Sequence, residues 1–254
     1  MDGNLLGKIV KFNAQASGRD KLFRLVQYCS KFIGWYLQQA SVAEDFVQKL
    51  QLISNALSTC RKFLRVGKSA DFVHAALQSL HISDDVLRWT ITVSKVNQAV
   101  YLVFDHIVLA GRLGIAKVDK DKWNRLSAQF WLVTLVLGMT RDVYDLINCI
   151  GRDLRDRDAK LSQQRKVSGE TLDNNNLHRP RKAVPSKSRV VWRSVADNKP
   201  LVLDLVKNLS DLVLPLEALG HIQASPGVQG LFGVLSSVIG IVTTWEPLLR
   251  LVPA

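Results

Sequence analysis

Between residues 46 and 64 the chain reads FVQKLQLISNALSTCRKFL, and Phe46, Leu50, Ile53, Leu57, Cys60 and Leu64 recur at alternating steps of four and three. At about 100° per residue these six lie within about 40° of one line, so the spacing predicts an amphipathic helix over about 46–66 with one narrow apolar stripe. Gln48, Gln51, Asn55, Ser58 and Lys62 lie opposite; Lys49, Arg61 and Lys68 border the stripe, and Arg65 sits further round. Two settings suit such a helix. It can lie in a membrane surface, the stripe sunk into the acyl boundary while Lys49, Arg61, Lys62, Arg65 and Lys68 reach anionic headgroups. It can equally pack its stripe against other helices of a bundle.

The same period organises the chain on either side. Residues 4–16 form a short helix, with Leu5, Ile9 and Phe12 on one face, broken at Gly18. A second helix runs from about Arg19 to Gln39. Gly67 ends the third, and Ser69 or Asp71 caps a short fourth helix over about 70–80. Together these make an N-terminal helical region, 1–82. Ser83, Asp84 and Asp85 then open a long helix to about Gly111, whose first half carries Thr90, Thr92, Ser94, Lys95, Asn97 and Gln98. The apolar runs at 99–104 and 130–140 are each shorter than the roughly 20 residues of a free-standing membrane span. Residues 83–150 therefore read as an apolar helical hairpin, buried in protein or partly in the membrane.

From Gly151 the pattern changes. The segment 151–198 is basic, beginning with a charged helical extension, and its stretch 168–189 has two prolines and little to bury, which predicts a partly disordered linker. A helix resumes at about Lys199 and runs to Leu219, with Pro215 expected to kink or end it. From Ile222 to Trp245 no residue is charged. At ~1.5 Å per residue this stretch reaches about 36 Å, enough to cross a hydrocarbon core. Gly230, Gly233, Ser237, Gly240 and Thr244 recur at steps of three and four, a seam of small residues that lets two membrane helices approach closely. A buried helix of a soluble bundle is the alternative, and glycine weakens a helix in water.

Composition sharpens this reading. With 254 residues, 47% hydrophobic, and no run of alternating strand pattern, the chain is expected to be all-α: a helical bundle integral to or embedded in a membrane, ending in a C-terminal transmembrane helix, 199–254 holding both final helices. The net charge of +12 asks for an anionic partner. Zinc-finger spacing, an aromatic RNA-binding strand and a basic heptad region are all missing, so anionic membrane lipid is favoured over nucleic acid. Lys and Arg number 13 against 6 acids in 151–200, which by the positive-inside rule favours the cytosol for that segment. That puts 246–254 on the other side if 222–245 crosses once, whereas a second crossing near 89–110 would allow both termini in the cytosol only with the segment in the lumen. The N-terminus has no signal peptide, so an organelle address is expected to be internal. Cys29, Cys60 and Cys149 are odd in number and widely spaced, as for unpaired thiols. Gly67-Lys68-Ser69 lacks the earlier glycine of a phosphate-binding loop, having Lys62 there, and Asp105 and His106 are helix neighbours that face different ways. No metal, cofactor or catalytic constellation is implied, and no enzyme is expected.

The stretch 18–32, GRDKLFRLVQYCSKF, resembles the opening signature of the peroxin-eleven family, with Arg19, Asp20, Lys21, Arg24, Gln27 and Tyr28 matching residue by residue. RKFLRVGKSAD (61–71), Asp85-Val86-Leu87-Arg88, YLVFDHIVLAGRLGI (101–115), KVDKDKWNRLSAQFWL (117–132), Arg141-Asp142-Val143-Tyr144 and GLFGVLSSVIGI (230–241) agree as well. The resemblance implies a peroxisomal membrane protein that self-associates and elongates the membrane through an amphipathic helix, here about 46–66. It implies as partners a dynamin-like fission GTPase with its tail-anchored adaptor, and the peroxisomal membrane-protein import receptor. An activity also proposed within such families, an oligomeric channel for small metabolites, is the alternative; Thr90, Thr92, Ser94, Lys95, Asn97 and Gln98 would then line it.

Overall fold

The structure is a computed structural model and describes residues 3–41, 44–170 and 185–251. Among these there are nine α-helices: α1 (Gly3–Ala14), α2 (Ala16–Gln39), α3 (Glu44–Leu64), α4 (Lys68–Ser79), α5 (Asp85–Arg112), α6 (Lys120–Glu170), α7 (Lys187–Asp197), α8 (Lys199–Ala218) and α9 (Pro226–Trp245). The all-α reading holds.

The boundaries follow local chemistry. Asp84 caps α5, its carboxylate accepting the Leu87 N–H at 3.0 Å. Ser225 caps α9 through the Val228 N–H, with Pro226 in the first turn, where its missing N–H costs nothing. Gly67 takes φ +85°, a left-handed conformation open to glycine, and so turns α3 into α4.

Six helices close into a ring. Going round, α2 packs on α3, α3 on α5, α5 on α6, α6 on α8, α8 on α9, and α9 back on α2. No helix pair packs directly across the ring, so its centre is left to side chains and space. The first helix leans on α2 and α9, α4 lies along α5, and α7 lies against α6 and α8. The seam of α2 and α9 is close enough that a Cβ at Gly230 would come within 2.8 Å of the backbone nitrogen of Phe32. Gly227 and Gly233 face the Trp35 and Tyr28 rings in the same way. Only residues without a Cβ admit the two backbones this closely.

Several features differ from the sequence reading. The first two helices part at Gln15, with Gly18 buried inside α2 against Phe12, and α4 starts at Lys68 with Gly67 as its N-cap, so neither Ser69 nor Asp71 caps it. The charged extension after Gly151 is continuous with the hairpin helix, giving one helix of 51 residues that runs to Glu170. A helix, α7, stands at the end of the expected linker, capped by Ser186 and carrying Val190, Val191 and Val195 toward α6 and α8; the rest of that linker, 171–184, lies outside the described residues. The eighth helix passes through Pro215 and ends at Ala218. Only one turn follows the proline, and its ring is buried, so packing outweighs one missing hydrogen bond.

Candidate functional site

Charge lies inside the ring and apolar surface outside it. Asp20, Arg24, Lys62, Asp105, Arg141, Asp142 and Asp211 are all buried. Leu52, Phe63, Trp89, Val96, Val136, Ile147, Leu231 and Val238 are exposed. This inverts the arrangement of a water-soluble bundle and suits a protein whose outer surface meets lipid, where ionisable groups turn to the bundle interior.

The interior charges form a belt that joins one helix to the next. Arg24 on α2 grips Asp211 on α8 with both terminal nitrogens, one at 3.3 Å, and its guanidinium lies 5.5 Å from the centre of the Tyr28 ring. Arg61 on α3 donates to Asp20 at 3.2 Å and to Gln27 at 2.8 Å, both on α2. Lys62 pairs with Asp105 on α5; Arg65 reaches Asp105 at 3.4 Å and donates to Tyr101 at 2.9 Å. Arg141 on α6 holds its neighbour Asp142 at 2.7 Å and Asp204 on α8 at 2.6 Å. Asn208 on α8 donates to Asp142 at 3.0 Å. At the outer ends of the bundle, the Leu87 N–H and then the Tyr144 hydroxyl hold the Asp84 carboxyl below the usual carboxylate range. Burial pushes the Lys68 amine down, with Asp20 opposing.

Within this belt lies a cavity of about 800 Å³, in the half of the ring nearest the start of α2 and the end of α9. Ten Lys and Arg side chains line it against five Asp.

The residues singled out in the sequence fall into place as follows. Of the apolar stripe, Phe46 (49% exposed), Ile53 (44%) and Cys60 face outward, Leu57 and Leu64 are half-buried, and Leu50 is buried beside Gly34 of α2. Of the basic residues proposed for lipid headgroups, Lys49 is exposed, whereas Arg61, Lys62 and Arg65 point into the ring, drawn there by Asp20 and Asp105. Lys68 is half-buried in the cavity wall. In the small-residue seam, Gly230, Gly233, Ser237 and Gly240 are buried and Thr244 half-buried; the helix they meet is α2 of the same chain. The six signature residues all lie on α2. Asp20, Arg24 and Gln27 hold α3 and α8, Tyr28 fits against Gly233, Lys21 lies against Gly240, and Arg19 is exposed. Of the polar set on α5, Thr90, Ser94, Lys95 and Gln98 line the cavity, while Thr92 bonds to Ser79 and Asn97 to Thr134.

Asp105, Asp204 and Asp211 escape any period-based search because each is a single acid in an apolar run. The signal available for them was that an ionisable residue inside such a helix needs an interior partner.

The last helix, α9, is the one among the described residues that is long and apolar enough to cross a membrane by length and composition. Apolar outer surface, inward charge and this helix define an all-α membrane protein. The chain belongs to the Peroxisomal biogenesis factor 11 (PEX11) family, whose model matches residues 6–245. It is 35% identical to Peroxisomal membrane protein 11B of Homo sapiens, over 96% of this chain and 98% of that one. Identity is 34% to Peroxisomal membrane protein 11B of Pongo abelii, with the same coverage. Peroxisomal membrane protein 11A of Homo sapiens is 31% identical over 95% of this chain and 97% of its own. No solved structure matches. The chain is thus a peroxisomal membrane protein with a role in peroxisome biogenesis.

Proposed function

We propose that the protein elongates and curves the peroxisomal membrane by setting the outer face of α3 into one leaflet. The observation that carries this reading is the uncovered face of α3, where Phe46, Leu52, Ile53 and Phe63 stand 44–68% exposed. Each gains roughly 1 kcal/mol on moving from water into the acyl boundary. Lys49 is the headgroup contact on this face; Arg61, Lys62 and Arg65 join it only when their pairs with Asp20 and Asp105 open. Self-association, the import receptor, and recruitment of a dynamin-like GTPase through its tail-anchored adaptor complete the reading as partners in division.

The test reconstitutes the full chain into anionic vesicles and follows their shape by electron microscopy. Wild type is expected to draw tubules and Ile53→Glu to leave vesicles round. Equal tubulation by both would remove α3 as the wedge.

A second reading, a conduit for small metabolites, is favoured by the hollow ring and its cavity. Conductance in planar bilayers, altered by substituting Lys95, would support it; a silent bilayer would end it.

A further inference from the structure

Most charges in the ring are matched. The exceptions gather in one place. Among the described residues that line the cavity, half-buried Lys21 on α2 and Lys68 on α4, and the exposed Arg250 after α9, have no ion pair or hydrogen bond from their side chains, and half-buried Lys95 on α5 has only the face of the Phe72 ring, 5.5 Å away. The charges that act most strongly on Lys95 are Arg141, Arg250 and Lys207 against Asp204, three cations to one acid. Arg141 and Lys207 are themselves committed to Asp204. All of these residues line the same cavity.

We propose that this cavity is a binding site for a phosphate-bearing anion, received by Lys21, Lys95 and Arg250, with Arg141 and Lys207 behind them. A cation held partly out of water without a partner is unfavourable, and a wall with ten cations to five acids leaves several to be neutralised at once. A monovalent ion answers one of them. A phosphate ester or diphosphate answers two or three, with acceptor oxygens spaced for separate ammonium and guanidinium donors. The volume of about 800 Å³ holds a ligand of nucleotide or lipid-headgroup size. Soluble phosphates and phospholipid headgroups share this chemistry. The inference rests on neither membrane curvature nor conduction: a protein that binds phosphate here and leaves vesicles round satisfies it.

The experiment uses the purified full chain and two probes, inorganic pyrophosphate in detergent and, separately, phosphatidylcholine vesicles with or without phosphatidic acid. Bound ligand is read as protection of lysines from an acylating reagent by mass spectrometry, with exposed Lys49 as the internal reference. Lys21 and Lys95 are expected to be protected and Lys49 unchanged. Protection by pyrophosphate marks a soluble ligand; protection dependent on phosphatidic acid alone marks a headgroup. Lys21→Gln and Lys95→Gln are each expected to weaken binding about tenfold or more. Without ligand, these variants are expected to melt at or above the wild-type temperature, because each removes an unpaired, half-buried cation. The proposal is overturned if neither probe protects Lys21 and Lys95, if Lys49 is protected equally, or if the variants bind as wild type does. The protection arm is read on wild type, so poor folding of a variant does not block it.

Discussion

Two seams of the ring are built on opposite principles. Where α2 meets α9, glycines bring the backbones together and aromatic rings fill what is left. Where α3 meets α5, direct helix-on-helix contact is the smallest of any seam in the ring, and Lys62, Arg65, Asp105 and Tyr101 link the two sides. The first seam is held mainly by shape, with one polar link across it, Lys31 donating to Gln229. The second is held by long side chains that keep their charges paired only while α3 stays in place. The charged seam therefore depends on paired long side chains, and it belongs to the helix whose apolar face points outward.

Removing one acid tests the charged seam most severely. Asp105→Ala leaves Lys62 and Arg65 buried without their main partner, and a loss of about 3–5 kcal/mol is expected, seen as a lower melting temperature by circular dichroism in detergent. Replacing the pair together, Lys62→Met with Asp105→Leu, is expected to recover most of it. If the double variant is as unstable as the single one, the seam depends on more than the pair.

The shape-held seam comes next. Gly230→Val forces α2 and α9 apart, since the atoms in its way are the backbone of Phe32. About 1–3 kcal/mol is expected to be lost, with a changed near-ultraviolet signal from the neighbouring rings. No second substitution in α3 or α5 should rescue it. Rescue from there would join the two seams into one unit.

A smaller effect follows acid. The Asp84 cap has a folded pKa below its unfolded value, so its contribution is complete above about pH 4 and fades as pH falls through the lower folded value. Wild type should therefore lose slightly more stability on acidification than Asp84→Asn, measured as melting temperature against pH; identical profiles would show that the cap's charge does not matter. Least of all, Ile53→Glu is expected to change stability in detergent by less than about 0.5 kcal/mol, because the side chain touches little in the folded ring. A large loss would mean that α3 is packed more deeply than its exposure indicates.

Period and capping chemistry located the helices well. Asp84 and Gly67 act where they stand in the chain, and the apolar run after Ile222 leads into a helix that can cross a membrane. The direction each face turns was harder to read. Apolar stripe and basic flank on α3 suit lipid from the helix alone, but the acids that turn Arg61, Lys62 and Arg65 inward lie 40 to 45 positions away, on α2 and α5. The small-residue seam likewise suited another copy as well as another helix; the aromatic residues of α2 that fit it are nearly 200 positions distant. Ring closure joins the second helix to the last, and no local pattern carries it.

The length of α6 has a consequence of its own. At ~1.5 Å per residue its 51 residues make a rod on the order of 75 Å, while a bilayer with its headgroups is about 40–45 Å thick. A rod standing upright in the ring overshoots the lipid by roughly 30 Å, several times the distance over which charge is felt in physiological salt. In that orientation the charged far half of α6 would stand clear of the lipid.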